Sequence, residues 1–159
     1  MMFARAAKYA DVDHVLANLS KISADEMAAI GRTPWQALGM ARACKKGGGL
    51  DCLFFDPANP LAIFGSIPKA DHPAVHRTWF IASQEYFDYG PKAILGSMRF
   101  MNGVAKNNPR ITFEAVTASQ ESDLNRWFAH LGFRLKEQFE NISLFERLPR
   151  FELASLDAA

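Results

Sequence analysis

The hydrophobic period of the chain switches several times, and the clearest switch lies near its middle. Thr78, Trp79, Phe80, Ile81 and Ala82 form a β-branched and aromatic run short enough for a strand. Beyond it, Ile94, Leu95, Met98, Met101 and Val104 recur at helical spacing. Between the two, Gly90 permits a tight bend, and Pro91 suits the first turn of a helix, where its missing N–H removes a donor that would be unpaired anyway. Residues 79–108 therefore predict a strand, a bend and an amphipathic helix whose N-terminus faces whatever lies beyond the strand end. Free N–H groups and partial positive charge suit such a terminus to a phosphate, although an ordinary strand-to-helix turn shows the same pattern.

The remaining elements follow from the same periodicities. Residues 3–7 open an edge strand, and Asp11 stands as an N-cap ahead of Val12, Val15, Leu16 and Leu19. Ser23 is expected to cap a second helix, with Glu26 completing a capping box ahead of Met27 and Ile30, and Gly31 to end it. Thr33 and Pro34 then introduce an apolar face of Trp35, Leu38, Met40 and Ala41 that runs to Gly47. Residues 50–56 and 61–67 read as antiparallel strands joined through Pro57 to Pro60, Gly65 suggests a bulge, and residues 68–73 read as a polar loop.

Pro109 stops the central helix before a strand carried by Ile111, Phe113, Ala115 and Val116, which a helical crossover places parallel to residues 78–82. Ser119 or Ser122 caps a last helix through Leu124, Trp127, Phe128 and Leu131, Gly132 closes it, and residues 133–139 and 141–148 alternate as a hairpin. The predicted order is a strand, two helices, three strands, a helix, a strand, a helix and two strands. That order defines an α/β (α+β) domain over residues 1–148 with a mixed, mostly antiparallel sheet and helices on both faces, followed by a frayed tail over 149–159.

Composition narrows the function classes. The 159 residues suit one core, and a formal charge of +1 provides no global pull toward nucleic acid. No apolar run approaches the roughly 20 residues that span a bilayer, and the N-terminal stretch reaches Asp11 and Asp13 too soon for a secretory signal. A cytoplasmic protein is expected. Cys44 and Cys52 flank three glycines without a histidine at ligand spacing, and His72, His76 and His130 match no metal signature, so no metal site is expected. The 13 phenylalanines and three tryptophans make Trp35, Phe54 and Trp127 the first candidates for contact with a partner, with core packing as the alternative use.

The element order, together with Ala129, His130, Leu131, Gly132 and Phe133 closing the last helix, resembles the GCN5-related N-acetyltransferase (GNAT) family over roughly residues 3–148. The resemblance implies a sheet splayed between the strands at 78–82 and 111–116. It further implies that acetyl-CoA lies in the splay beside Ile81, Ser83, Tyr89, Gly90, Pro91 and Lys92, and that a small amine or protein amine accepts the acetyl group.

Several positions depart from the family pattern. Of the pyrophosphate-wrapping loop only Gly90 matches: Phe87 replaces a polar residue, Pro91 removes an N–H, Lys92 replaces a small residue and Asp88 adds negative charge. Lys92 can compensate as a point charge. Phe128 stands where the family has the tyrosine that protonates the leaving thiolate, and Glu121 and Leu124 replace the usual Asn and small residue of the same helix. Tyr86 and Tyr89 are the candidate replacement acids. Glu85 and Glu114 are the candidate general bases, provided burial raises a carboxylate pKa toward neutrality. A narrower resemblance, carried by RTPWQAL and WFIASQEYF, is to acyltransferase-like proteins that short-tailed bacteriophages encode beside their internal virion proteins. It implies an assembly or virion role, with other virion proteins as partners and a degenerate acetyl-CoA site.

Overall fold

A computed structural model describes residues 1–119 and 122–149. Glu121 and residues 150–159, on which two of the expectations above fall, lie outside the described part. The elements in order are β1 (Phe3–Ala6), α1 (Tyr9–Ala17), α2 (Lys21–Ala29), α3 (Pro34–Gly47), β2 (Gly49–Phe54), β3 (Ala62–Lys69), β4 (His72–Ala82), α4 (Gln84–Asp88), α5 (Pro91–Asn107), β5 (Thr112–Thr117), α6 (Ser122–His130), β6 (Arg134–Phe139) and β7 (Ile142–Arg147). The strands form one sheet in the order β1-β2-β3-β4-β5-β7-β6. Every neighbouring pair is antiparallel except β4 and β5, which run parallel as the crossover through α5 requires.

Two apolar cores lie on opposite faces of the sheet. The alternation of strand side chains sends Leu50, Cys52, Ile63, Trp79 and Ile81 into one, against Val12 and Val15 of α1, Met27 of α2 and Ala37, Ala41 and Cys44 of α3. Leu53, Phe64, Phe113, Ala115 and Phe145 enter the other, with Tyr86 of α4, Ala93 and Met101 of α5 and Phe128 of α6. Helices thus cover both faces, as the periodicity predicts.

Local chemistry departs from the sequence reading at several points. The three helical stretches read before residue 47 are α1, α2 and α3, although the expected order counts two, and the bend after β4 folds into the short helix α4. Asp11 is not the N-cap of α1. It sits one turn inside, where it accepts from Lys8 N–H (2.7 Å) and pairs in bidentate fashion with Arg5 (2.6 and 2.9 Å). The cap of α2 is Ser20, whose Oγ accepts from Ser23 N–H at 3.0 Å, and this frees Ser23 and Glu26 for longer-range partners. On α3 the buried face is Ala37, Ala41 and Cys44, and Trp35 is 73% exposed.

Gly65 keeps regular register with Leu50 and Trp79, and the irregularity falls at Pro68 and Lys69 instead. What requires glycine at 65 is close approach, since a Cβ there would lie 2.8 Å from Cys44 Sγ. The expected loop at 68–73 is mostly strand, because β3 runs to Lys69 and β4 starts at His72.

Candidate acyl-transfer site

The parallel pair β4 and β5 is joined only at Val75–Arg77 with Thr112–Glu114. One further tie, from Thr78 Oγ1 to the Glu114 carbonyl (2.9 Å), marks the point where the strands part. Helix α2 spans the resulting V. On the β4 side, Ser20 N–H donates to the Ala82 carbonyl (2.9 Å), and Ala82 N–H donates to Ser23 Oγ (3.1 Å). On the β5 side, Glu26 accepts from Thr117 Oγ1 (3.0 Å) and from Ala118 N–H (2.8 Å). Because backbone groups alternate along a strand, the N–H and C=O of Phe80 point the same way as those of Ala82, into the opening.

A cavity of about 260 Å³ occupies the splay and reaches both faces of the sheet. On the α2 face its lining includes Ser23, Glu26, Met27 and Arg32. Thr78, Phe80, Ala115 and Thr117 line the gap between the strands. Phe87, Ser97, Phe100, Trp127 and Phe128 line the α5 and α6 face. The walls are largely apolar, which suits the uncharged arm of a ligand and lends strength to the few polar groups that enter.

Tyr86 stands behind the cavity wall, outside the lining itself. Its hydroxyl is buried and lies 2.7 Å from Ser97 Oγ, with Trp127 Nε1 donating to it at 3.3 Å, and both of those neighbours line the cavity. Burial pushes the Tyr86 phenol above its ordinary pKa, and the bonds with Ser97 and Trp127 offset part of that rise, so the group stays protonated at neutral pH. Phe128, without a hydroxyl, stacks on Phe145 at 4.5 Å as a packing residue. Tyr89 packs on Phe55 (4.3 Å) and is absent from the cavity lining.

The segment after β4 offers few anion donors. Gly90 has φ +56°, and its carbonyl receives the N–H groups of Ala93 (3.1 Å) and Ile94 (3.3 Å); Pro91 has no N–H. Tyr89 N–H is spent on the Glu85 carbonyl (3.1 Å) within the turn of α4. Lys92 is exposed and contributes a flexible positive charge at the start of α5. Ile81 and Ser83 are buried at the end of β4: Ile81 lines the cavity, while Ser83 caps α4 by accepting from Tyr86 N–H.

The two carboxylates singled out in the sequence lie elsewhere. Glu85 is exposed and accepts from Asn59 Nδ2 at 2.8 Å. Glu114 is buried, and although burial alone would raise its pKa, Lys69, Lys136 and Arg77 together hold it below the ordinary value as a paired anion. Neither lines the cavity. The carboxylate that does is Glu26, which the sequence reading assigned to a capping box; its spacing from Ser23 gave no sign that Thr117, 91 residues later, was its partner.

Of the aromatic candidates, Phe54 is core and Trp127 lines the cavity, while Trp35 lies on the surface with the Arg42 guanidinium 5.9 Å over its ring. Both thiols are buried, and burial pushes Cys52 up to about 12. His72 and His130 are exposed, and His76 meets the edge of Phe113 at 5.8 Å. Among the described residues no group of histidines, cysteines and carboxylates is disposed to hold a metal ion, and no helix is long and apolar enough to cross a membrane.

The fold is that of GNAT acetyltransferases. The GNAT domain of PAT from S. lividans matches with a TM-score of 0.68 at 12% identity, covering 90% of this chain and 88% of that one. A chimeric spermidine N-acetyltransferase made from SpeG of Vibrio cholerae and hSSAT matches at 0.68 and 15% identity, covering 96% and 98%. A phosphinothricin acetyltransferase of the GNAT superfamily from Sinorhizobium meliloti, in complex with AcCoA, matches at 0.62 and 10% identity, covering 92% and 87%. No family model matches the sequence, and no curated protein matches it. The narrower resemblance to phage virion proteins draws no support from these structures.

Proposed function

We propose that the chain is an acyl-CoA-dependent acyltransferase domain acting on an amine, with acetyl-CoA as the acyl donor. The observation that carries this reading is the apolar cavity through the β4/β5 splay, flanked by strand backbone that no neighbouring strand pairs. A pantetheine arm is a slender chain of amides and methylenes, and it fits a slot with apolar walls and a strand edge at Phe80. The donor supplies an activated thioester. The chain's own groups orient its carbonyl, exclude water and manage protons. Tyr86, protonated and joined to the cavity through Ser97, is the group placed to supply a proton to a departing thiolate. Lys92 takes over part of the work of the reduced anion cradle at Gly90, so donor affinity is expected to fall steeply with added salt.

Titration calorimetry with acetyl-CoA tests the reading directly. Binding is expected, and Val116→Trp, which adds bulk to the cavity wall, should abolish it while leaving the far-ultraviolet circular dichroism spectrum unchanged. No heat at millimolar acetyl-CoA would sink the proposal. A second reading is favoured by one feature, the spent or missing donors around Gly90 together with Phe128 in place of a phenol: a binding module without turnover, whose partners are other proteins such as those of a phage particle. Stable co-purification with virion proteins and no coenzyme A release would support it.

A further inference from the structure

Besides Arg77, whose guanidinium pairs with Glu114 at 3.3 Å, the α2 mouth of the cavity carries two opposite charges and an apolar shelf. Glu26 lines the mouth with both oxygens already engaged once, by Thr117 Oγ1 and Ala118 N–H. A carboxylate presents about four lone-pair sites, so about two remain to accept from an ammonium group. Arg32 lines the same mouth. It is placed there by the end of α2: Gly31, at φ +68°, donates to the Ala28 carbonyl (3.0 Å) and Arg32 N–H to the Met27 carbonyl (2.8 Å), which folds the chain back one turn toward Glu26. The position filled by Arg32 usually carries an apolar side chain that packs on the helix. Here it carries a guanidinium for which no hydrogen bond or ion pair is found among the described residues, a fork suited to a carboxylate.

Arg32 also borders a shallow surface groove with Ile30, Trp35 and Met40. Trp35 is 73% exposed and Ile30 39% exposed, so the groove offers apolar area continuous with the charged mouth.

We propose that the acceptor is an α-amino acid with an apolar side chain, its ammonium on Glu26, its carboxylate on Arg32 and its side chain along Ile30 and Trp35. This rests on the acyltransferase reading above. The amino nitrogen sheds two protons in all: one goes to water and frees the lone pair that forms the amide bond as the thioester C–S bond breaks, and the other replaces the proton that Tyr86 gives to the departing thiolate. The facing charges of Glu26 and Arg32 select a zwitterion over a plain amine, because a decarboxylated analogue leaves Arg32 unpaired.

The test compares phenylalanine with phenethylamine, and leucine with isopentylamine, by calorimetry on the full chain with and without coenzyme A. Each amino acid is expected to bind at least about tenfold more tightly than its decarboxylated partner, a difference of about 1.4 kcal/mol. Arg32→Leu should erase that preference, Glu26→Gln should weaken both members of each pair, and Trp35→Ala should weaken phenylalanine more than alanine. Equal or tighter binding of the amines to the unaltered chain, a preference that survives Arg32→Leu, or no binding of either class would overturn the proposal. A separate titration with acetyl-CoA alone reports on the parent reading: its failure, with amino acid selectivity intact, removes the acyltransfer reading and not the amino acid site.

Discussion

Gly65 shows how one missing methyl group lets two layers meet. It is buried in the middle of β3, paired on both sides, and its Cα faces α3 so closely that a Cβ would come within 2.8 Å of Cys44 Sγ and 3.3 Å of both Cys44 Cβ and Leu50 Cδ1. Neither neighbour can withdraw freely from a core at crystal-like density. Gly65→Ala is therefore expected to destabilise the fold by about 1–3 kcal/mol in chemical denaturation. Adding Cys44→Ala should recover part of that loss, a coupling that a double-mutant cycle measures directly. The sequence flagged this glycine as irregular and misassigned the cause, because close approach between distant segments leaves no local trace.

At the scale of elements, α1 and α2 show what sequence spacing conveys and what it conceals. Asp11 was legible as a residue of a helix start, yet its partner Arg5 belongs to a strand, so its place one turn inside α1 depends on packing rather than on the local pattern. The hydrogen bonds from Arg5, reinforced by Lys8 N–H and opposed by burial, hold the Asp11 carboxyl below its ordinary pKa. A depressed folded-state value contributes stability above the unfolded pKa of about 3.9 and loses it as pH falls through the folded value. Asp11→Asn should thus lower the melting temperature at pH 7, with the gap to the unaltered chain narrowing below about pH 4. In α2 the capping-box pattern was read correctly as polar residues at a helix start but one cap too late, and that shift hid Glu26 from view as a site residue. The antiparallel run of β2, β3 and β4, the parallel pair and α5 were legible because each rests on period and connection length, whereas the insertion of β7 between β5 and β6 left no such signal. The brace at Glu26 and the Tyr86–Ser97–Trp127 cluster were not, since they join side chains from segments far apart in sequence.

For the whole molecule, the decisive feature is that the sheet is open at its centre while α2 ties the two sides together. Ile81 pairs with Ile63 on β3 and Ala82 N–H is held by Ser23, whereas the amide of Phe80, two residues before Ala82 on the same edge, faces the cavity. Amide hydrogen exchange should therefore be faster at Phe80 than at Ile81 or Ala82, and acetyl-CoA should slow it selectively; equal protection at all three in the free protein would contradict the open edge. The same opening has an energetic meaning. Its apolar walls, reached by solvent, leave unrealised the burial that larger side chains would provide at about 25 cal/mol per Å². A handful of larger side chains at Val116, Ala115 or Ser97 could recover much of it. Thermostability selection applied without a ligand would therefore close this molecule at its centre first, and the stiffest variants would be those that had given up the slot.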